Sequence, residues 1–548
     1  MATSRSDPAA NASLRKDDPA GSPFRRILIA NRGEIAIRII RACREMGMES
    51  VAVYSDADAG AAHVRLADRA IRLGPAAPAE SYLRIDAVVQ AAIDSGADAI
   101  HPGYGFLSER AAFARAAEQA GVTFVGPSAE TIEAIGDKLH ARRLAHDVGV
   151  PAVPGSIEPA MVDRPEHVAA VIAEAETIGF PLLVKAASGG GGRGMRRVDS
   201  VRDLVEALAD GSREAASAFG DGAVYLEREV RPARHVEVQL LGDATGRVVA
   251  IGERDCSLQR RHQKLVEEAP APGLSSQDRA RLHELAVRIA VAAGLRNAAT
   301  AEFLLAPDGS FYFLEVNTRL QVEHGVTELV SGLDIVREQF LLAAGRPLSA
   351  AALEAASRAT DPFGHAIEVR LSAEDPGRDF APTPGRLTTW TMPSGPGVRV
   401  DTALEAGELV PAEYDNLIAK VMVHARDRGA AIDRLRRALD ETEVGGIQTT
   451  LPFDRFVTRD ASFRAGEVHT EWVMEHWDGP ASFREAARLA LLAAGLTAAG
   501  SHGSYGTDGH APASIDGSRT PGNRGASRGT TSGWYADGLL DGIDRWPR

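Results

Sequence analysis

The residues best suited to chemistry lie in four stretches, and the first is Ala301 to Asn317, where two strand-like runs flank Asp308-Gly309. Asp-Gly between apolar runs is a hairpin signal, and a two-residue turn there sets Glu302 directly opposite Glu315. Like charges facing across a ladder repel, so a divalent cation is the natural compensation. Asn317, two residues on along the same face, adds a further oxygen ligand. A solvated hairpin face or a shifted register are the alternatives. The second stretch is Lys185-Ala-Ala-Ser followed by Gly189, Gly190, Gly191, Gly192, Arg193 and Gly194. Amides with no Cβ to block approach can close over phosphate oxygens. Lys185 precedes the glycines, so this is not a Walker A loop, and a plain flexible loop stays open as a reading.

The third stretch, Glu253 to Lys264 with Glu267 and Glu268 after it, is either a polar site or a solvated charge run. In the fourth, Asn317 to His324, the residues Arg319, Gln321 and Glu323 alternate and are expected on one strand face. There Arg319 could hold a small anion while Glu323 takes a proton; a salt-bridged surface strand is the alternative. Lysine usage bears on these readings. Of 61 basic residues only Lys16, Lys138, Lys185, Lys264 and Lys420 are lysine. Arg is a wide planar fork and Lys a compact point charge, so a site that needs the slim ammonium resists replacement. Lys185 and Lys264 fall in two of the stretches above, and Lys138 lies by a helix that Ser128 can cap.

Something must position these groups, and 548 residues suffice for three to four domains at roughly 150 residues each. Ile27 to Ala30, a turn at Asn31-Arg32-Gly33, helical spacing from Glu34 to Met46 and a strand-like Val51 to Tyr54 open a βαβ pattern. It continues through Asp98 to Ile100 and Thr123 to Gly126, predicting an open parallel sheet. From Phe180 the strands Pro181 to Lys185, Ala223 to Glu227, His235 to Leu241 and Val248 to Ile251 predict antiparallel α+β structure. A third block, His365 to Trp477, mixes strands with a helix near Ala430 to Asp440, and Ala481 to Ala499 reads as helix. The net charge of −14 argues against a general nucleic-acid or anionic-membrane binder. No apolar run approaches the ~18 residues of a membrane span. Cys43 and Cys256 show neither disulfide nor zinc spacing, which suits a reducing cytoplasm.

From about Arg26 to Trp477 the chain resembles the biotin carboxylase component of biotin-dependent carboxylases, in the ATP-grasp superfamily. The resemblance rests on Ile29-Ala-Asn-Arg-Gly-Glu-Ile-Ala36, His101-Pro-Gly-Tyr-Gly-Phe-Leu-Ser-Glu109, the glycine run, Glu253 to Lys264, Phe313 to His324 and Arg370-Leu-Ser-Ala-Glu-Asp375, in that order. It implies an α/β and α+β fold: an N-terminal Rossmann-like parallel sheet, a central ATP-grasp domain with a glycine-rich lid, and a C-terminal mixed α/β domain. The expected boundaries are a disordered leader over 1–22, domains over 23–137, 138–345 and 346–477, a helix over 478–500 and a disordered tail over 501–548.

The resemblance also implies roles. Lys138 and Lys185 bind ATP phosphates under the Gly189 to Gly194 lid, and Glu227, the backbone from Arg228 to Val230, His235, Gln259 and His262 hold the nucleotide. Glu302 and Glu315, helped by Asn317, hold Mg2+ or Mn2+. Lys264, Arg319, Gln321 and the Val322 backbone bind bicarbonate, Glu323 is the base, and Arg370 stabilises the biotin enolate. Gly325 replaces the usual proline of the family, which is expected to loosen the exit of the strand. No Met-Lys-Met biotin-attachment motif occurs, so biotin is expected on a separate carrier protein that serves a carboxyltransferase subunit of an acyl-CoA carboxylase. The enzyme is expected to be a homodimer. A carbamoyl-phosphate-synthetase-like ligase would share the nucleotide machinery without the Arg319 to Glu323 run and Arg370, and a non-catalytic subunit would have lost a ligand.

Overall fold

The computed structural model describes residues 22–160, 165–187 and 195–502. The glycines Gly189, Gly190, Gly191 and Gly192, the leader up to residue 21 and the tail from residue 503 lie outside the described residues.

The first block is a parallel sheet of β1 (Arg26–Ile29), β2 (Glu49–Ser55), β3 (Arg69–Gly74), β4 (Ala99–His101) and β5 (Thr123–Phe124), in the order β3-β2-β1-β4-β5. Ile27, Leu28 and Ile29 are all buried, as a strand covered on both faces requires. The crossover helix Gly33–Glu45 buries Ile35, Ile39 and Cys43 at helical spacing, and Gly47 ends it at φ +69°.

A small antiparallel sheet follows, with β6 (Leu182–Ala186) between β7 (Arg196–Val198) and β8 (Val224–Arg228). The site itself is built on a larger sheet. Its strands are β9 (Arg234–Gly242), β10 (Val248–Arg260), β11 (Gln263–Ala269), β12 (Asn297–Leu305), β13 (Phe311–Asn317), β14 (His365–Ser372), β15 (Val398–Thr402) and β16 (Leu417–Ala425). They run in the order β13-β12-β9-β10-β11-β14-β16-β15, every neighbouring pair antiparallel. The parallel and antiparallel blocks are thus as the residue pattern predicts. Helices Arg428–Glu441 and Gly479–His502 stand where helical spacing places them.

Three sequence expectations need correction, and one open alternative, the third point below, is settled. Glu302 does face Glu315, but not through a two-residue turn. Phe303 faces Phe313, Leu305 faces Phe311, and the Ala306 amide donates to the Ser310 carbonyl at 2.9 Å, so Pro307-Asp308-Gly309 is the turn. A two-residue turn of the Asp-Gly kind needs positive φ at both central residues, and here only Gly309 takes it, at +81°. A bulge between Glu302 and Phe303 absorbs the extra residue and restores the carboxylate pair.

Second, Thr318 to Glu323 is not a strand. β13 is an edge strand that stops at Asn317, and helix His324–Ser331 begins with Glu323 as its N-cap residue. The intervening chain turns back, the His324 amide reaching the Gln321 carbonyl at 3.3 Å. Gly325 loosens nothing: a Cβ there would stand 2.3 Å from the Met422 sulfur, so the helix seats tightly on β16. Third, Glu253, Arg254, Asp255, Ser257 and Gln259 are buried along β10 and not a solvated run. Burial is tolerated because each ion is paired, Glu253 with Arg279 at 2.5 Å and Asp255 with Arg234 at 2.6 Å. Fourth, Ser128 caps Ala129–Gly136, whereas Lys138 opens the next helix, Lys138–Asp147, which Asp137 caps.

Candidate active site

One face of the large sheet carries the site. Register sets Glu315, Glu302, Glu237 and Arg254 side by side across four strands, three carboxylates ending on one guanidinium. Such a row is stable only if cations enter it. Lys138 reaches Glu315 at 3.0 Å, and His235 and Lys264 each reach Glu302 at 3.0 Å. Lys264 also binds Glu237 at 2.5 Å and Glu323 at 2.7 Å, so one ammonium ties three carboxylates together. Arg370, on β14, divides its guanidinium between Glu323 at 3.0 Å and Glu267 at 2.6 Å.

The loop from Thr318 to Glu323 brings its groups onto this cluster although it is not a strand. Arg319 donates to the Gln321 side-chain oxygen at 2.7 Å and to Asn317 at 3.2 Å, and pairs with Glu109 of the first block at 3.0 Å. Asn317 and Gln321 donate to Glu302 at 2.8 and 3.3 Å. Glu323 is fully buried. Burial alone would push its carboxyl up, but Lys264, Arg370 and Arg254 reverse this and hold it well below the usual carboxylate range. It is therefore ionised, with one oxygen on Lys264 and the other on Arg370. Glu302 is held low in the same way, against its burial, by Lys264 and His235.

On the small sheet, Lys185 on β6 contacts Glu227 on β8, and Arg142 reaches the same carboxylate at 3.0 Å. Val230 follows β8 in a half-buried loop, Gln259 is buried opposite Lys264, and His262 stands at the β10 to β11 turn with φ +66°. Glu302 and Glu315 offer carboxylate oxygens and Asn317 its amide oxygen, which here accepts from Arg319; oxygens of this kind suit a hard cation such as Mg2+.

Family models match residues 23–132 (Biotin carboxylase, N-terminal domain), 137–351 (Carbamoyl-phosphate synthase L chain, ATP binding domain) and 368–475 (Biotin carboxylase C-terminal domain). The biotin carboxylase of Pseudomonas aeruginosa is 47% identical over 82% of this chain and 97% of its own. The chain belongs to the biotin carboxylase family. A pyruvate carboxylase subunit of Methanothermobacter thermautotrophicus is 46% identical over 83% of this chain and 91% of its own. The biotin-dependent acyl-coenzyme A carboxylase alpha3 subunit of Mycobacterium leprae is 46% identical over 84% and 76%. Among solved structures, the biotin carboxylase domain dimer of the Hydrogenobacter thermophilus 2-oxoglutarate carboxylase, bound to MgADP, ADP and bicarbonate, superposes with a TM-score of 0.78 at 42% identity, covering 83% of this chain and 98% of that one. The reaction is the ATP-dependent carboxylation of biotin by bicarbonate, with Mg2+.

Several residues of the candidate site are not legible as single motifs. Glu237 and Arg254 belong to the carboxylate row, and Glu267 shares Arg370. A signal for Glu237 does exist: His235, Glu237 and Gln239 alternate with Val236, Val238 and Leu240, a strand whose polar face must meet other polar groups. Glu267 has a measurable signature. Burial pushes it up to about 7 from 4.5, Arg370 offsetting only part of the effect. An acid raised in the fold adds stability below its unfolded value and loses it as pH rises through the folded one. Glu267→Gln, neutral at every pH, should therefore gain on the parent as pH rises from about 4.5 to 7, by at most about 3 kcal/mol. Urea unfolding of both proteins at several pH values checks this, and a difference that stays flat from about pH 5 to 8 would contradict it.

Proposed function

We propose that these residues divide the biotin carboxylase reaction as follows. Lys138 and Lys185 hold the ATP phosphates, and Glu227, the Arg228 to Val230 backbone, His235, Gln259 and His262 hold the rest of the nucleotide. Glu302 and Glu315, with Asn317, hold the Mg2+, which supplies charge neutralisation at the phosphate oxygens. Lys264, Arg319, Gln321 and the Val322 amide bind bicarbonate beside the Glu323 carboxylate.

Glu323 removes the bicarbonate proton, and the freed oxygen attacks the γ-phosphorus as ADP leaves, giving carboxyphosphate. Carboxyphosphate splits to CO2 and phosphate. The phosphate takes the N1′ proton of biotin, and the N1′ nitrogen attacks CO2 while Arg370 faces the negative ureido oxygen. The observation that carries this reading is the single ammonium of Lys264 joined to Glu237, Glu302 and Glu323, because it links the metal-side carboxylate to the base.

The domain limits 23–137, 138–345 and 346–477 belong to the same proposal, as do homodimerisation, a cytoplasmic location, and service to a separate biotin carboxyl carrier protein and a carboxyltransferase of an acyl-CoA carboxylase. Support for the acyl-CoA acceptor is the named function of the Mycobacterium leprae relative. Pyruvate is the second reading, favoured by the archaeal relative at equal identity. No helix among the described residues is long and apolar enough to cross a membrane. Purified chain with Mg2+ and ATP should hydrolyse ATP faster only when bicarbonate and free biotin are both present, with carboxybiotin formed. Stimulation that needs only one of them would refute the assignment.

A further inference from the structure

Lys420 takes no part in the division of labour above, yet it is one of five lysines in the chain and its side chain is wholly buried. Its ammonium donates to the Val322 carbonyl at 2.9 Å, lies 3.2 Å from Glu34 and 3.8 Å from Asp401. Those three partners come from three parts of the fold. Glu34 is in the first turn of the helix after β1, Val322 is in the loop after β13, and Asp401 is on β15, the cross-strand neighbour of Lys420. Glu34 is fixed in turn by the Tyr104 hydroxyl. Register places Lys420 directly beside Arg370, so the ammonium stands on the active-site face of the sheet.

We propose that Lys420 is a positioning residue for bicarbonate activation: its ammonium anchors the Val322–Glu323 peptide and so fixes the base and the adjacent Val322 amide. The inference rests on the reading of Glu323 and Val322 given above. The bonded carbonyl belongs to the same peptide unit whose nitrogen is that of Glu323, so a shift of that peptide moves the carboxylate with it. Burying an ammonium is costly unless it is paired and hydrogen-bonded, and here its partners are drawn from all sides. Arginine would not fit in its place: the ammonium is a slim point charge in a site with no exposed surface, whereas a guanidinium is a broad plane. This accounts for a lysine in a chain that otherwise uses arginine.

The test is steady-state kinetics of the full chain with Mg2+, ATP, bicarbonate and free biotin. Lys420→Met should raise KM for bicarbonate and lower kcat, together on the order of 10²-fold in kcat/KM, while KM for ATP stays within about twofold. Because Lys420→Met strands the Glu34 carboxylate, Lys420→Met/Glu34→Gln is measured beside it and should show the same bicarbonate defect. Thermal unfolding of each variant identifies the folded ones. A bicarbonate KM within about twofold of the parent in either folded variant overturns the proposal, as does an equal rise in KM for ATP and bicarbonate. Glu323→Gln serves as the control on the underlying reading. If it keeps bicarbonate-dependent turnover, that reading has failed; if it is inactive while Lys420→Met behaves as the parent, only the role of Lys420 has.

Discussion

Glu323→Gln should lower biotin-dependent turnover by roughly 10²–10⁴-fold while leaving MgATP affinity close to that of the parent. The size follows from general-base catalysis, and the selectivity follows from position. Glu323 touches Lys264 and Arg370, whereas Lys138 and Lys185 pair with Glu315 and Glu227. Glutamine keeps the shape and removes the acceptor of the proton. It also frees Lys264 and Arg370 from one counter-charge, so tighter bicarbonate binding without turnover is compatible with the assignment. The measurement is carboxybiotin formation beside nucleotide binding by calorimetry, and turnover within tenfold of the parent would exclude Glu323 as the base.

Arg254→Met should cost about 3–5 kcal/mol of stability, a large share of the 5–15 kcal/mol typical of a folded domain. Arg254 has no exposed surface. It donates to Glu237 at 2.5 Å, Gln239 at 3.0 Å, Thr327 at 2.8 Å and Thr300 at 3.2 Å, so methionine leaves a buried carboxylate short of charge and further acceptors without donors. Adding Glu237→Gln should recover part of the loss, because the stranded charge goes with it. Midpoints of urea unfolding for the parent, the single and the double variant check both statements. A single variant within 1 kcal/mol of the parent would mean that the pair contributes far less than its burial implies.

The carboxylate pair Glu302 and Glu315 was legible because β-pairing is local, and even a misjudged turn left it intact once a bulge took up the difference. The loop from Thr318 to Glu323 was misjudged for the opposite reason. Alternation is the mark of a strand, but an edge strand ends where tertiary packing ends it, here where helix His324–Ser331 seats on Met422. Glu253 to Gln259 stays open between a polar site and a solvated run in the sequence because ions are normally exposed. Their partners Arg279, His283 and Arg234 lie elsewhere along the chain, and no local pattern announces such a pairing. The family resemblance supplied roles that spacing alone could not.

The large sheet has an evolutionary consequence. β11 and β14 are joined by a ladder from Val266–Val369 to Ala269–Ala366, although nearly a hundred residues of chain, including the proposed boundary near residue 346, separate them. Recombination between two parents at that boundary would thus cut no compact unit free. It would ask strands of different ancestry to complete a common ladder, and to keep the Arg370 guanidinium on Glu267 across the seam. Blocks that meet in this way should be exchanged only together. Exchange should be better tolerated at the small sheet of β6, β7 and β8, which among the described residues shares no ladder with the large one.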